Sequence, residues 1–184
     1  MRLRLAKFCE ILGEERNTLR KHVARGEAPF RIEPAEEGKQ RTYDGRDVFA
    51  GIVWLRLREA GLTPGEAGEA VLLARAADEY AEERSEPRRS ELYLIRSAEF
   101  LEREQPYPSR VGIVSAEIGP PHVILTRMIK ADERDGTQRG EAARWAGLGS
   151  VLAVPLRKCE LDARAALRAH GYDLTDSLEI EERP

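Results

Sequence analysis

Disulfides, metal clusters and membrane spans are what this sequence has least material for. Its two cysteines, Cys9 and Cys159, lie far apart with no CxxC and no neighbouring histidine, so each reads as a reduced, small apolar residue. The three histidines, His22, His122 and His170, are equally isolated. No apolar run approaches the roughly 18 residues that could span a bilayer. The stretch Met1-Arg2-Leu3-Arg4-Leu5 lacks the continuous apolar core of a signal peptide. A cytoplasmic location and no membrane partner are therefore expected. There is no G-x-S-x-G, no phosphate-cradling glycine loop and no H-E-x-x-H. The acidic run Glu179 to Glu182 reads as a solvated tail rather than a metal site. No enzyme, catalytic residue, cofactor or metal is expected.

Charge is plentiful and unevenly placed. The whole chain carries −3, yet residues 1–61 hold 13 Lys/Arg against 10 Asp/Glu, while residues 62–184 hold 17 against 23. Between Glu15 and Arg25 there are four Lys/Arg and one acid, which places a basic face near the N-terminal end. Leu5 to Gly13 reads as a short amphipathic helix closed by glycine, and Asn17 to Gly26 as a second helix. On the second helix Leu19 and Val23 share one face and can bury against Phe8, Ile11 and Leu12. Arg16, Arg20, Lys21 and Arg25 project elsewhere, with Asn17 and Thr18 near the helix start. Arginine can grip guanine bidentately and asparagine adenine, while Lys, Thr and backbone amides hold phosphate. The spacing is that of a helix-turn-helix, and Arg41-Thr42-Tyr43 before a helix opened by Asp47-Val48 makes it a winged one.

Leu12-Gly13, Asn17-Thr18-Leu19-Arg20, Arg41-x-Tyr43, Asp47-Val48 and Arg58-Glu59-Ala60-Gly61-Leu62-Thr63 together resemble the DNA-binding domain of MerR-type transcriptional regulators. The likeness covers the first third of the chain. It implies groove or phosphate contacts for Arg20, Arg41 and Tyr43, and a dimer built on helices that follow the DNA-binding domain. Lys39 joins the expected contacts from the wing, Phe30 to Tyr43. The chain departs from the family at Glu14, where an apolar turn residue is usual, and at Lys21-His22, where aromatics are usual. Glu33, Glu36 and Glu37 make the tip of the wing acidic. Phage excisionases and terminase small subunits share the same plan.

A third helix, about Arg46 to Ala60, is apolar over more than half its circumference and reads as the support of the N-terminal unit. Thr63, Pro64 and Glu66 then form a capping box that opens a long connecting helix, Pro64 to Arg84. Along it Ala67, Ala70, Ala74, Ala77 and Ala81 fall at heptad a and d spacing. Two readings stand for this stripe: the seam of a homodimer, or packing within the chain.

Ser85 to Arg89 reads as a linker stopped by Pro87. Ser90 to Glu104 reads as a helix, although Leu92 to Ile95 also suits a strand. Two strands, Val111 to Ile118 and Val123 to Ile129, flank the hairpin signal Gly119-Pro120-Pro121-His122. Helix over Thr137 to Ala146, an edge strand over Ser150 to Leu156, helix over Glu160 to His170 and a frayed tail from Thr175 complete a small α+β unit. The expected division is 1–62 winged helix-turn-helix, 63–89 connecting helix and linker, and 90–184 effector or partner domain. Arg144-Trp145, Tyr107 and Tyr172 could line a pocket there, or simply be packed.

Three functions fit this organisation. The first is a homodimeric regulator bound to double-stranded DNA, with a small-molecule or protein partner at its C-terminal domain. The second is a phage or mobile-element DNA-binding adaptor. The third is an interaction module that has kept the fold and lost DNA binding, which the acidic wing favours. If the division holds, a fragment ending near Ser85 should bind DNA by itself.

Overall fold

The computed structural model describes residues 1–30, 41–83, 86–103, 109–124, 126 and 143–183, with side chains described for all of these except 86, 97–103, 109–115 and 143–150. Strand β1 (Leu3–Arg4) leads into helices α1 (Leu5–Leu12) and α2 (Arg16–Ala24). Phe8, Cys9, Ile11 and Leu12 bury one face of α1, and Gly13 ends it at φ 69°, a left-handed conformation that glycine adopts without strain. Strand β2 (Thr42–Tyr43) returns to pair antiparallel with β1, Leu3 opposite Tyr43 and Arg4 opposite Thr42. Inward Leu3 and Tyr43 are buried while outward Arg4 and Thr42 are exposed, the period-two pattern of a strand.

Helix α3 (Gly45–Glu59) is the axis of the molecule. Asp44 and Asp47 cap its start reciprocally, and Val48, Phe49, Val53, Trp54 and Leu57 are fully enclosed. Gly51 lets α1 approach, because a Cβ there would lie 2.9 Å from a Leu12 methyl carbon. Helix α4 (Pro64–Leu73) begins with the expected capping box of Thr63 and Glu66. The connecting helix is not continuous. Arg75, at φ 46° and ψ 42°, breaks it, and α5 (Ala76–Glu82) sets off in a new direction. The break turns Tyr80 inward, where its ring stacks on Phe49 at 4.9 Å.

The expected linker contains a short helix, α6 (Glu86–Glu91). The expected helix from Ser90 is instead the strand β3 (Tyr93–Arg103), centred between β4 (Ser109–Gly119) and β5 (Ala143–Pro155). Successive residues of a strand face opposite sides. Leu94 and Ile95 are both buried, so the sheet is covered on both faces at this end. That double cover is why the apolar run reads ambiguously in sequence. Residues 121–124 form a helical turn, not a strand, with the Val123 and Ile124 amides donating to the Pro120 carbonyl at 3.0 and 3.2 Å. Residues 143–146 are strand rather than helix, while 127–142 lie outside the described residues. β5 is an edge among the described strands, with Pro155 at its end as expected.

Helix α7 (Leu156–Arg168) follows directly and packs Leu156, Cys159, Ala163 and Leu167 inward. The C-terminal segment is folded rather than frayed: β6 (Tyr172–Leu174) pairs with β7 (Ile180–Glu182), and Leu178 and Ile180 are buried. It lies against the start of the chain. The Met1 ammonium donates to the Ile180 carbonyl at 3.1 Å, and a Cβ on Gly45 would sit 2.2 Å from the Leu178 carbonyl. One core includes Leu3, Phe8, Trp54, Ala67, Tyr80, Leu94, Leu156 and Ile180, and so crosses both expected boundaries, 62/63 and 89/90. The fold is a mixed helical and α+β assembly. Among the described residues no helix is long and apolar enough to cross a membrane.

Candidate nucleic-acid interface

Helix α2 carries most of the expected contact residues, and its construction explains what they present. Leu19 is its one fully buried residue, with Val23 half-buried on the same side. Arg16, Asn17, Arg20, Lys21 and Arg25 are exposed. Among the described residues Arg16, Arg20 and Lys21 form no hydrogen bond or ion pair, and Arg25 approaches Glu27 only at 4.0 Å. Exposed arginines on folded domains are commonly paired, as Arg56 and Arg168 are here. Three such cations on a nine-residue helix concentrate positive charge on its exposed face. Thr18 is half-buried and donates its hydroxyl to Glu15 at 2.6 Å, so it is engaged at the helix start. That bond holds the Glu15 carboxyl below its ordinary range.

His22 turns inward beside Leu19 instead of facing outward. Its Nδ1 lies 2.7 Å from Glu27 Oε2, and its ring meets Trp54 at 5.5 Å, near perpendicular. Glu14, the departure in the turn, has a partner: Arg58 donates to it at 2.6 Å while its guanidinium covers Trp54 at 4.5 Å. A polar turn residue is tolerated because α3 supplies the opposite charge.

Tyr43 requires a correction. It is 2% exposed, stacked on Phe8 at 4.0 Å and edge-on to Phe30, so its ring belongs to the core and reaches no groove. Burial pushes its phenol up. Arg41 lies over that ring at 5.2 Å and is partly exposed. Lys39 and most of the segment expected to form a wing lie outside the described residues. The structure adds Arg4, exposed beside Thr42 on the outer face of the two-stranded ladder. The alternation Leu3-Arg4-Leu5 could have shown that a strand turns this arginine outward.

The alanine stripe is closed within the chain. Ala67 and Ala70 are fully buried, Ala74 and Ala81 nearly so, and Ala77 half-buried. The break at Arg75 divides the stripe between α4 and α5, so no single straight seam remains. This is the packing described by the intramolecular reading.

At the other end, Arg56, Leu152, Val154, Pro155, Lys158 and Cys159 line a shallow depression of about 190 Å³. Of the residues that could have lined a pocket or simply been packed, none lines this depression: Tyr172 lies on β6, Arg144 and Trp145 lie far along β5, and Tyr107 is outside the described residues. Burial pushes the Cys159 thiol up to about 12, and Cys9 is raised for the same reason. Among the described residues no group of His, Cys, Asp and Glu is arranged to hold a metal ion. No protein-family model matches the chain, and no curated protein matches it in sequence.

Proposed function

We propose that this chain is a DNA-binding protein of the transcription-regulator class, with α2 as its recognition helix. The observation that carries the reading is the outer face of α2, where Arg16, Arg20 and Lys21 stand exposed beside Asn17 and, among the described residues, without partners. A helix presenting cations and one amide outward while Leu19 anchors it from behind is suited to a major groove. The tight turn at Gly13 and the support from α3 favour a helix-turn-helix reading, and the resemblance to MerR-type regulators rests on the same segment. Arg41 and Arg4 extend positive charge toward the flanking phosphates.

A homodimer has no open alanine stripe to form on, so a two-fold assembly would use another surface. A depression beside β5, its lining mainly apolar, is a candidate place for an effector. The direct test is a mobility shift with the full chain and duplexes selected from a random-sequence pool. Arg20→Ala/Lys21→Ala should weaken binding at least several-fold and flatten the dependence of log affinity on log salt by about 1 to 2. Equal affinity of the variant and the wild type at matched salt would remove α2 from the interface.

A further inference from the structure

Helix α2 is held from beneath by contacts that end on α4. With one side chain fully buried, α2 has little packing of its own to fix its orientation. His22 supplies a second anchor through Glu27 and Trp54, at 2.7 Å and 5.5 Å. Both of those residues rest on α4. The Trp54 indole N–H donates to the carbonyl of Pro64, the first residue of α4, at 2.9 Å. The Glu27 carbonyl lies against buried Gly68, where a Cβ would come within 2.3 Å of the oxygen. At that contact backbone meets backbone, so a shift of α4 cannot be absorbed by a side-chain rotation. α4 also reaches the sheet: Glu66 lies 3.5 Å from Arg96 of β3, an arginine 6% exposed whose Nε has no hydrogen-bond partner among the described residues.

We infer that α4 sets the pose of the basic face through Gly68, Glu27 and His22. His22 and Glu27 are then positioning residues, which touch no DNA but aim the cations that do. The sheet thereby has a mechanical route to the DNA face, β3 to α4 to α2. This rests on the DNA-binding reading of α2. An element that responds to both ends is the physical requirement for coupling between them.

The test uses the full chain and a duplex that the wild type selects from a random-sequence pool, at temperatures well below each variant's melting point. His22→Ala and Gly68→Ala should each weaken binding by at least about five-fold. Both should leave the salt dependence unchanged, since no phosphate contact is removed. The double variant should bind no worse than the weaker single, because both act on one path. His22→Gln, which can still donate to Glu27, should restore most of the affinity. Arg20→Ala is the contrast, losing affinity and salt dependence together. Should Gly68→Ala fail to fold, Glu27→Ala takes its place in the cycle with the same expectation.

Wild-type affinity in the singles, or additive losses in the double, would overturn the path while leaving the reading of α2 intact. A salt dependence that falls in His22→Ala as it does in Arg20→Ala would make His22 a direct contact and also overturn it. A wild type that selects no duplex would remove both the reading and the path.

Discussion

Glu160 is fully buried and surrounded by donors from three helices. Tyr80 donates to one carboxylate oxygen at 2.5 Å, Arg164 to the other at 2.8 Å, and Arg157 also donates, while Arg89 stands 3.8 Å away. Burial pushes the Glu160 carboxyl up, but the hydrogen bonds from Tyr80, Arg157 and Arg164 outweigh it and leave the group below its ordinary 4.5. Glu160→Gln should therefore cost about 3 kcal/mol in urea unfolding at neutral pH, since buried Arg89 and the half-buried Arg157 and Arg164 lose their counter-charge. The sign with pH follows from the lowered value. On acidification the unfolded chain takes up this proton first, so the stabilisation is whole above 4.5 and drains away below it. Asp47, raised by burial, works in the opposite sense. The acid limb of stability against pH should be shallower in Glu160→Gln than in the wild type; identical limbs would show that Glu160 is not ionised in the fold. Cys159 gives a second check at this scale. With its thiol at about 12 and 1% exposed, it should resist a disulfide reagent near neutral pH until the chain unfolds. Rapid labelling of the folded chain would mean that α7 is not packed as described.

At the scale of elements, the break at Arg75 shows where local patterning stops being informative. The alanine spacing predicts one helix through residue 84, and nothing in Ala74-Arg75-Ala76 signals a turn. Tertiary contacts decide it, because only a bent path brings Tyr80 to both Phe49 and Glu160. The left-handed conformation costs a non-glycine residue roughly 1 to 2 kcal/mol, and the exposed pairs of Arg75 with Asp78 and Glu79 return little of that. Arg75→Gly should thus be neutral or stabilising by up to about 1 kcal/mol in urea, whereas a loss of stability would mean those ion pairs hold the bend. Elsewhere legibility follows the same division. The caps of α3 and α4, the glycine end of α1 and the buried face of α3 depend on neighbouring residues and are readable in sequence. β3, the helical turn at 121–124 and the C-terminal strands depend on partners remote in the chain. Of the candidate site, the cations of α2 were legible from spacing. The inward turns of Tyr43 and His22 were not, since each depends on an aromatic partner on another element, Phe8 or Trp54.

For the whole molecule, the division into a DNA-binding unit and a separate effector unit conflicts with a core that runs from Leu3 to Ile180. A fragment ending near Ser85 would lose α7 from α3, Glu160 from Tyr80 and the Leu178 turn from Gly45. It should show a broad, weakly cooperative melt and bind a hydrophobic dye, in contrast to the full chain. A sharp melt without dye binding would restore the expected independence of the N-terminal unit.

Amide chemical-shift mapping of the full chain, as a selected duplex is added, shows whether the outer face of α2 meets DNA. The largest perturbations should fall over residues 15–26, smaller ones at 4 and 41–43, with little change along β3, β5 or α7. Perturbations centred on the sheet with α2 unaffected, or none at concentrations well above those at which nonspecific DNA binders respond, would contradict it.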